Sequence, residues 1–97
     1  MEWKVLYTEP ALADVESIKD WSWAFHPDTT ERFISALLNH IDLLEMFPRM
    51  GTPVRNHPNV RRLVHTPVWI FYRVNDDKRR VEILHVWHHA RSGPPRF

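Results

Sequence analysis

The residues with chemical potential gather in the second half of the 97-residue chain, which holds five of the seven histidines. His88 and His89 close an apolar run, Arg62 and Arg73 lie within the two runs before it, and Arg91 lies just after it. Imidazole exchanges its proton near neutral pH, with a reference pKa of about 6.5, and guanidinium groups pair with phosphate oxygens. Cleavage of RNA by its own 2′-hydroxyl needs a base, an acid and cations around the phosphate, and no metal. His88 or His89 as proton carrier, with Arg62 and Arg91 as cations, is the catalytic set these types allow if the chain is a ribonuclease. The same residues admit a plainer reading, in which His88 ends a strand and is satisfied by a backbone hydrogen bond.

His85-x-x-His88-His89 suggests a metal site, because imidazole is a common zinc ligand. Strand alternation argues against it. His85 and His88 are an odd number of residues apart, so they point to opposite faces of a continuous strand, and His88 and His89 diverge likewise. The chain has no cysteine to complete such a site, and Glu82 is the only close acid. No metal and no cofactor is expected.

A third constellation is Arg62, Trp69, Phe71 and Arg73, which alternation gathers on one sheet face. Cations beside aromatic rings can stack bases and bind phosphates. They equally suit an acidic, apolar protein segment, or the rings can simply cover the second face of a sheet. His88 and Arg91 extend this candidate binding surface toward the C-terminus.

The elements that must position these groups are legible from periodicity. Trp3 to Tyr7 is a short β-prone run, ended by Glu9-Pro10, where proline suits the first turn of a helix. From Pro10 to about Phe25, Ala11, Val15, Ile18 and Ser22 recur at helical spacing, and Leu12, Trp21 and Phe25 widen the stripe. Trp21 and Trp23, two apart, cannot share one helical face, so one of them is expected at the surface. Asp28-Thr29-Thr30-Glu31 has capping-box character and heads a second helix to about Phe47, with Phe33, Leu37, Ile41 and Leu44 inward. The short link between the helices implies a hairpin.

Pro48, Gly51, Pro53 and Pro58 mark an irregular connection. Three β-prone runs follow: Val60 to His65, Val68 to Val74 and Arg80 to His88. Their close spacing predicts an antiparallel meander. With Thr66-Pro67 at the first tip, Leu63 faces Ile70 and Arg61 faces Tyr72. Leu63, Val68, Ile70, Tyr72 and Val74 then point to the helices, leaving Arg62, Val64, Trp69, Phe71 and Arg73 on the other side. Asn75-Asp76-Asp77-Lys78 supplies the second turn, and residues 92–97, with Gly93-Pro94-Pro95, read as a flexible tail. The fold class is α+β, in the order β-α-α-β-β-β.

Composition sets the outer bounds. An apolar fraction of 43% with twelve aromatic residues argues against disorder, and this length suits one domain, 1–97, with a core of about 3–91. No secretory signal or membrane-length apolar run is present in this sequence, so a cytoplasmic location is expected and no membrane partner. The net charge of +1 hides a polarity: residues 1–48 carry three basic and nine acidic side chains, residues 49–97 ten basic and three acidic. The second half is therefore expected to present a basic surface to an anionic partner, unless the two halves neutralise each other in the fold.

Three runs carry a resemblance beyond this. Leu44-Glu45-Met46-Phe47-Pro48-Arg49-Met50-Gly51 resembles the leucine, proline, glycine pattern after the second helix of the RelE/ParE toxin superfamily. Arg62-Leu63 with Ile70-Phe71-Tyr72-Arg73-Val74 resembles its paired central strands. Val81-Glu82-Ile83-Leu84-His85-Val86-Trp87-His88-His89-Ala90-Arg91 resembles the closing strand of ParE-like members. The resemblance implies a growth-inhibiting toxin of a type II toxin–antitoxin system, of the kind associated with plasmid stabilisation, held inactive in a hetero-oligomer with a cognate antitoxin.

Within the superfamily it implies the ParE branch, with DNA gyrase as target. RelE-like members instead cut messenger RNA on the ribosome. This chain has Arg62 where those have a lysine, Val64 where they have a phosphate-binding arginine, and Pro95 near the place of their C-terminal tyrosine. An RNA-cleaving toxin, and a degenerate member that has lost toxicity, are the alternatives.

Overall fold

A computed structural model describes residues 3–23, 27–88 and 95, with side chains at 3–20, 28–88 and 95. Its elements are β1 (Lys4–Tyr7), α1 (Glu9–Trp23), α2 (Pro27–Asp42), a 3₁₀ turn (Leu43–Glu45), β2 (Thr52–Pro53), β3 (Val60–His65), β4 (Val68–Asn75) and β5 (Arg80–His88). The strands form one sheet in the order β1-β5-β4-β3-β2. β3, β4 and β5 are the antiparallel meander that the spacing predicts, and Leu63 faces Ile70 and Arg61 faces Tyr72 as the tip at Thr66-Pro67 requires.

The structure departs from expectation in four places. β1 pairs parallel with β5, so the sheet is mixed at one margin. A two-residue strand, β2, lies inside the proline-rich connection and pairs with β3 at Arg61 and Arg62. Proline is tolerated there because an edge strand need not donate to a second neighbour. The second helix stops at Asp42, and one tighter turn keeps Leu44 fully buried. Met46 and Phe47 fall outside the helix and are exposed, with Pro48 barring further helix. In α1, Leu12 is 52% exposed and does not widen the apolar face, which is carried by buried Ala11 and by Val15 and Ile18. The side chains of Trp21 and Trp23, and Phe25, lie outside the described residues.

The core lies between the helices and one sheet face. Ala11, Leu37, Ile41 and Leu44 pack against Leu63, Val68, Ile70, Tyr72, Val74, Val81, Ile83 and Val86. Each large aliphatic side chain so buried contributes about 1.5–3 kcal/mol. Thr8 fixes where the helical layer begins. Its backbone N–H donates to Ile83 O, its hydroxyl donates to the same oxygen at 2.7 Å, and Ala11 N–H donates back to that hydroxyl. The first helix is thus capped and tied to β5 by one residue.

Beyond Ile83, β1 no longer covers the edge of β5, and α1 takes over. Asp14 accepts hydrogen bonds from Val86 N–H and from His85 Nδ1, each at 3.0 Å. Leu84 is the extra residue of a bulge, since Phe71 pairs with His85 while Tyr72 pairs with Ile83. A bulge bends a strand and re-aims its neighbours, which brings the His85 ring to the sheet margin where Asp14 stands.

Gly51 has a specific packing reason to be glycine. A Cβ at this position would stand 2.7 Å from the Tyr72 hydroxyl and 2.8 Å from Arg62 O. Without it, Gly51 N–H reaches the buried Tyr72 hydroxyl at 2.9 Å, and Arg61 donates to Gly51 O at 2.8 Å. The connection is pinned to the sheet by that trio. Asn56 and Asn59, at φ 65° and 69°, take the left-handed turns that asparagine tolerates better than most residues.

Candidate functional site: the outer face of the sheet

Cross-strand partners share a face, so the register defines what lies on the side away from the helices. One row is Val64, Trp69 and Trp87; the next is Arg62, Phe71 and His85; a third is Val60, Arg73 and Glu82, with Leu6 beyond. Asn75, Arg80 and Lys4 form the last row. Arg62, Trp69, Phe71 and Arg73 are therefore together, as the alternation predicts. His85 and Trp87 belong to the same face and were missed as members of the site, because they reach it through the bulge at Leu84, which carries no clear signal in the sequence.

The face is partly roofed. Val60 is 3% exposed and Phe71 4%, yet neither belongs to the core between helices and sheet. The connection before β3 folds over them, held by Val54 N–H to Val60 O at 3.0 Å and Val60 N–H to His57 O at 3.1 Å. Beside this roof a groove of about 330 Å³ is lined by Pro53, Val54, Arg55, His57, Arg62, Trp69, Phe71 and Pro95. Pro95 is itself buried. Arg55 and His57, read from the sequence as loop residues only, thus bring two more groups with cationic capacity to the groove wall.

On this face the aromatic rings are ordered by one another. Trp69 meets Phe71 edge-on, with centroids 6.4 Å apart and planes at 78°, an arrangement favoured by the ring quadrupoles. His85 meets Trp87 in the same way at 5.7 Å and 83°. The Arg62 guanidinium lies over Trp69 with its carbon 4.7 Å from the ring centroid, a cation–π contact. Its Nε is buried and has no hydrogen-bond partner among the described residues. Leaving such a donor unmet costs about 1–3 kcal/mol.

Arg73 stands in a different setting. It faces Glu82 across the sheet and lines a second hollow with Asn59, Asn75, Asp76 and Asp77, at the rim of the face. Arg62, stacked on Trp69, lines the groove instead.

His88 lies elsewhere. Its partner across the sheet is Val68, which is fully buried in the helix-side core, so His88 is on the helix side and Arg62 on the outer side. The register separates the two described members of the His88, Arg62 and Arg91 set. Arg91 and His89 lie outside the described residues. His85 and His88 also fall on opposite faces, as the odd spacing requires, and His85 is engaged by Asp14. Among the described residues no group of three or more His, Cys, Asp or Glu side chains is arranged to hold a metal, and none of the helices is long and apolar enough to cross a membrane.

Comparison with known proteins gives this geometry its context. A family model described as the ParE toxin of the type II toxin–antitoxin system parDE matches residues 5–93. No curated protein matches the sequence significantly. Among solved structures, the chain is similar to the chromosomal ParDE toxin–antitoxin system of P. aeruginosa, with TM-score 0.76 and 20% identity over 90% of this chain and 96% of that one. It is similar to the RelBE2 toxin–antitoxin complex of Mycobacterium tuberculosis, with TM-score 0.70 and 23% identity over 91% and 99%. It is also similar to a mutant of the E. coli toxin RelE in the free state, with TM-score 0.71 and 17% identity over 95% and 88%.

Proposed function

The chain belongs to the ParE toxin family of type II toxin–antitoxin systems, and on that footing we propose that it acts by binding a protein target, DNA gyrase, rather than by cutting RNA. The observation that carries this reading is the separation of His88 from Arg62 by the sheet itself. A proton carrier and a phosphate cation on opposite faces do not meet at one scissile bond, whereas metal-free RNA cleavage needs both within hydrogen-bond reach of the same phosphate. Gyrase as the target comes from the family and from no feature of the groove.

The outer face is the docking surface for the antitoxin. Its Arg62, Trp69 and Phe71 would receive an acidic, apolar segment, whose carboxylate meets Arg62 and whose apolar side chains cover Trp69, Val64 and Trp87. Aromatic rings and arginine dominate binding energy at protein interfaces, and here they are contiguous. Arg73 lies on the rim.

The test is expression of this chain alone in a bacterial host, with growth, DNA supercoiling and bulk messenger RNA followed together. Arrested growth with failed supercoiling and intact RNA is the expected result. RNA cleavage that disappears in His88→Ala would overturn the binding mode, and uninterrupted growth would remove the toxic activity altogether. With the purified antitoxin, Arg62→Ala or Trp69→Ala is expected to weaken binding by about 2 kcal/mol, roughly 30-fold. Unchanged affinity in both variants would move the antitoxin to another surface.

A further inference from the structure

On the helix side of the sheet, two histidines meet that the toxin reading leaves unused. His40 projects from the last turn of α2 and His65 from the end of β3, with their Nδ1 atoms 2.9 Å apart. The rings are not stacked: their centroids are 5.1 Å apart and their planes cross at 53°, so the contact is nitrogen to nitrogen. Phe33, seven residues before His40 and therefore on the same helical face, lies against His65 at 5.5 Å and fixes that ring's orientation.

Two neutral imidazoles facing in this way share a single proton, one ring donating and the other accepting. When the donating ring takes its other tautomer, with the proton on Nε2, both Nδ1 lone pairs converge on one point, which is the donor arrangement of a chelate. We propose that His40 and His65 form a two-imidazole site for a borderline divalent transition cation such as Zn²⁺, Ni²⁺ or Cu²⁺, clipping α2 to the β3–β4 hairpin while water completes the coordination.

The geometry is close to what such an ion requires. Nitrogen ligands at about 2.0–2.1 Å in tetrahedral array stand about 3.3 Å apart, so the observed gap need open by only a few tenths of an ångström. Both side chains are half-buried, so solvent can deliver the ion and supply the remaining ligands. Burial and the neighbouring His40 hold the His65 pKa below its ordinary value, which favours the neutral, ligating form at neutral pH. Among the described residues no third histidine, cysteine or carboxylate joins the pair. The site is accordingly open and exchangeable, unlike a closed structural zinc centre. Imidazole donors select the later first-row ions and not Mg²⁺ or Ca²⁺, which seek oxygen.

Because the two residues are 25 apart in sequence, the chelate exists only in the folded chain, and the ion stabilises that state by mass action. Thermal unfolding of the full chain with Zn²⁺ or Ni²⁺ is expected to shift upward by several degrees, with no shift in Mg²⁺. His40→Gln and His65→Gln should each abolish the shift, and His57→Gln should keep it. A shift that survives in either of the first two variants overturns the site, as does its absence from the parent protein. Should the variants fold poorly, Co²⁺ titration of the parent followed by amide NMR gives an independent reading. Paramagnetic broadening centred on His40 and His65 is expected, whereas broadening centred on residues 85–88 instead would overturn the assignment.

Discussion

At the scale of single residues, Gly51 and His65 show how one position can carry a large share of a structural decision. A Cβ on Gly51 would collide with the Tyr72 hydroxyl and with Arg62 O, and the second of these is backbone that cannot swing aside. Gly51→Ala is therefore expected to cost about 1–3 kcal/mol. At about 4–8 °C per kcal/mol for a domain of this size, calorimetry would detect it easily. His65 sets a pH dependence. Its folded pKa lies below the ordinary 6.5 because of burial first and His40 second. The unfolded chain thus binds the proton more readily, and stability rises with pH through the window just below 6.5. The urea midpoint should fall as pH drops from 7 to 5, and it should fall less steeply in His65→Gln.

At the scale of elements, the informative feature is how the margin of β5 is closed. β1 pairs only as far as Ile83, and an uncovered strand edge invites pairing with another chain. α1 covers the remainder through Asp14, which accepts from Val86 N–H and His85. Asp14→Ala removes the acceptor from both donors and is expected to destabilise the chain by about 1–3 kcal/mol. Hydrogen exchange at the Val86 amide should accelerate well beyond that of Ile83, whose neighbourhood is held by Thr8 and β1. Equal acceleration across β5 would mean that the helix stabilises the strand by packing and not through this carboxylate.

At the scale of the whole molecule, the charge polarity along the sequence survives as a polarity in space. Exposed acids at Glu9, Glu16, Asp20, Asp28, Glu31 and Asp42 lie on the helices. Lys4, Arg62, Arg73 and Arg80 lie on the outer face of the sheet, where the register places one acid, Glu82, among the described strand residues. Such a field steers an acidic partner toward the sheet and is screened over about 8–10 Å at physiological salt. Association with an acidic antitoxin segment should slow as salt rises from 50 to 500 mM, and Arg73→Gln, at the rim, should reduce the on-rate more than it raises the off-rate. Stopped-flow kinetics would separate the two; an association rate insensitive to salt would deny the field any part in binding.

Much of this protein was legible in its sequence because the information is local. Period 3.6 marked both helices, period 2 and the tip at Thr66-Pro67 set the β3–β4 register, and that register alone gathers Arg62, Trp69, Phe71 and Arg73 on one face. The resemblance of the runs after Leu44, around Arg62 and before Arg91 pointed to the toxin superfamily that the family match supports. What the sequence could not determine is whatever depends on contacts between distant segments. The parallel seat of β1 beside β5, the roof over Val60 and Phe71, and the capture of His85 by Asp14 join residues tens of positions apart, with no periodicity to announce them. The tertiary structure also decided that His88 and Arg62 are kept apart and that His40 meets His65. Alternation says which side of its own strand a residue occupies, but only the packing of helices against one face makes that side interior or surface.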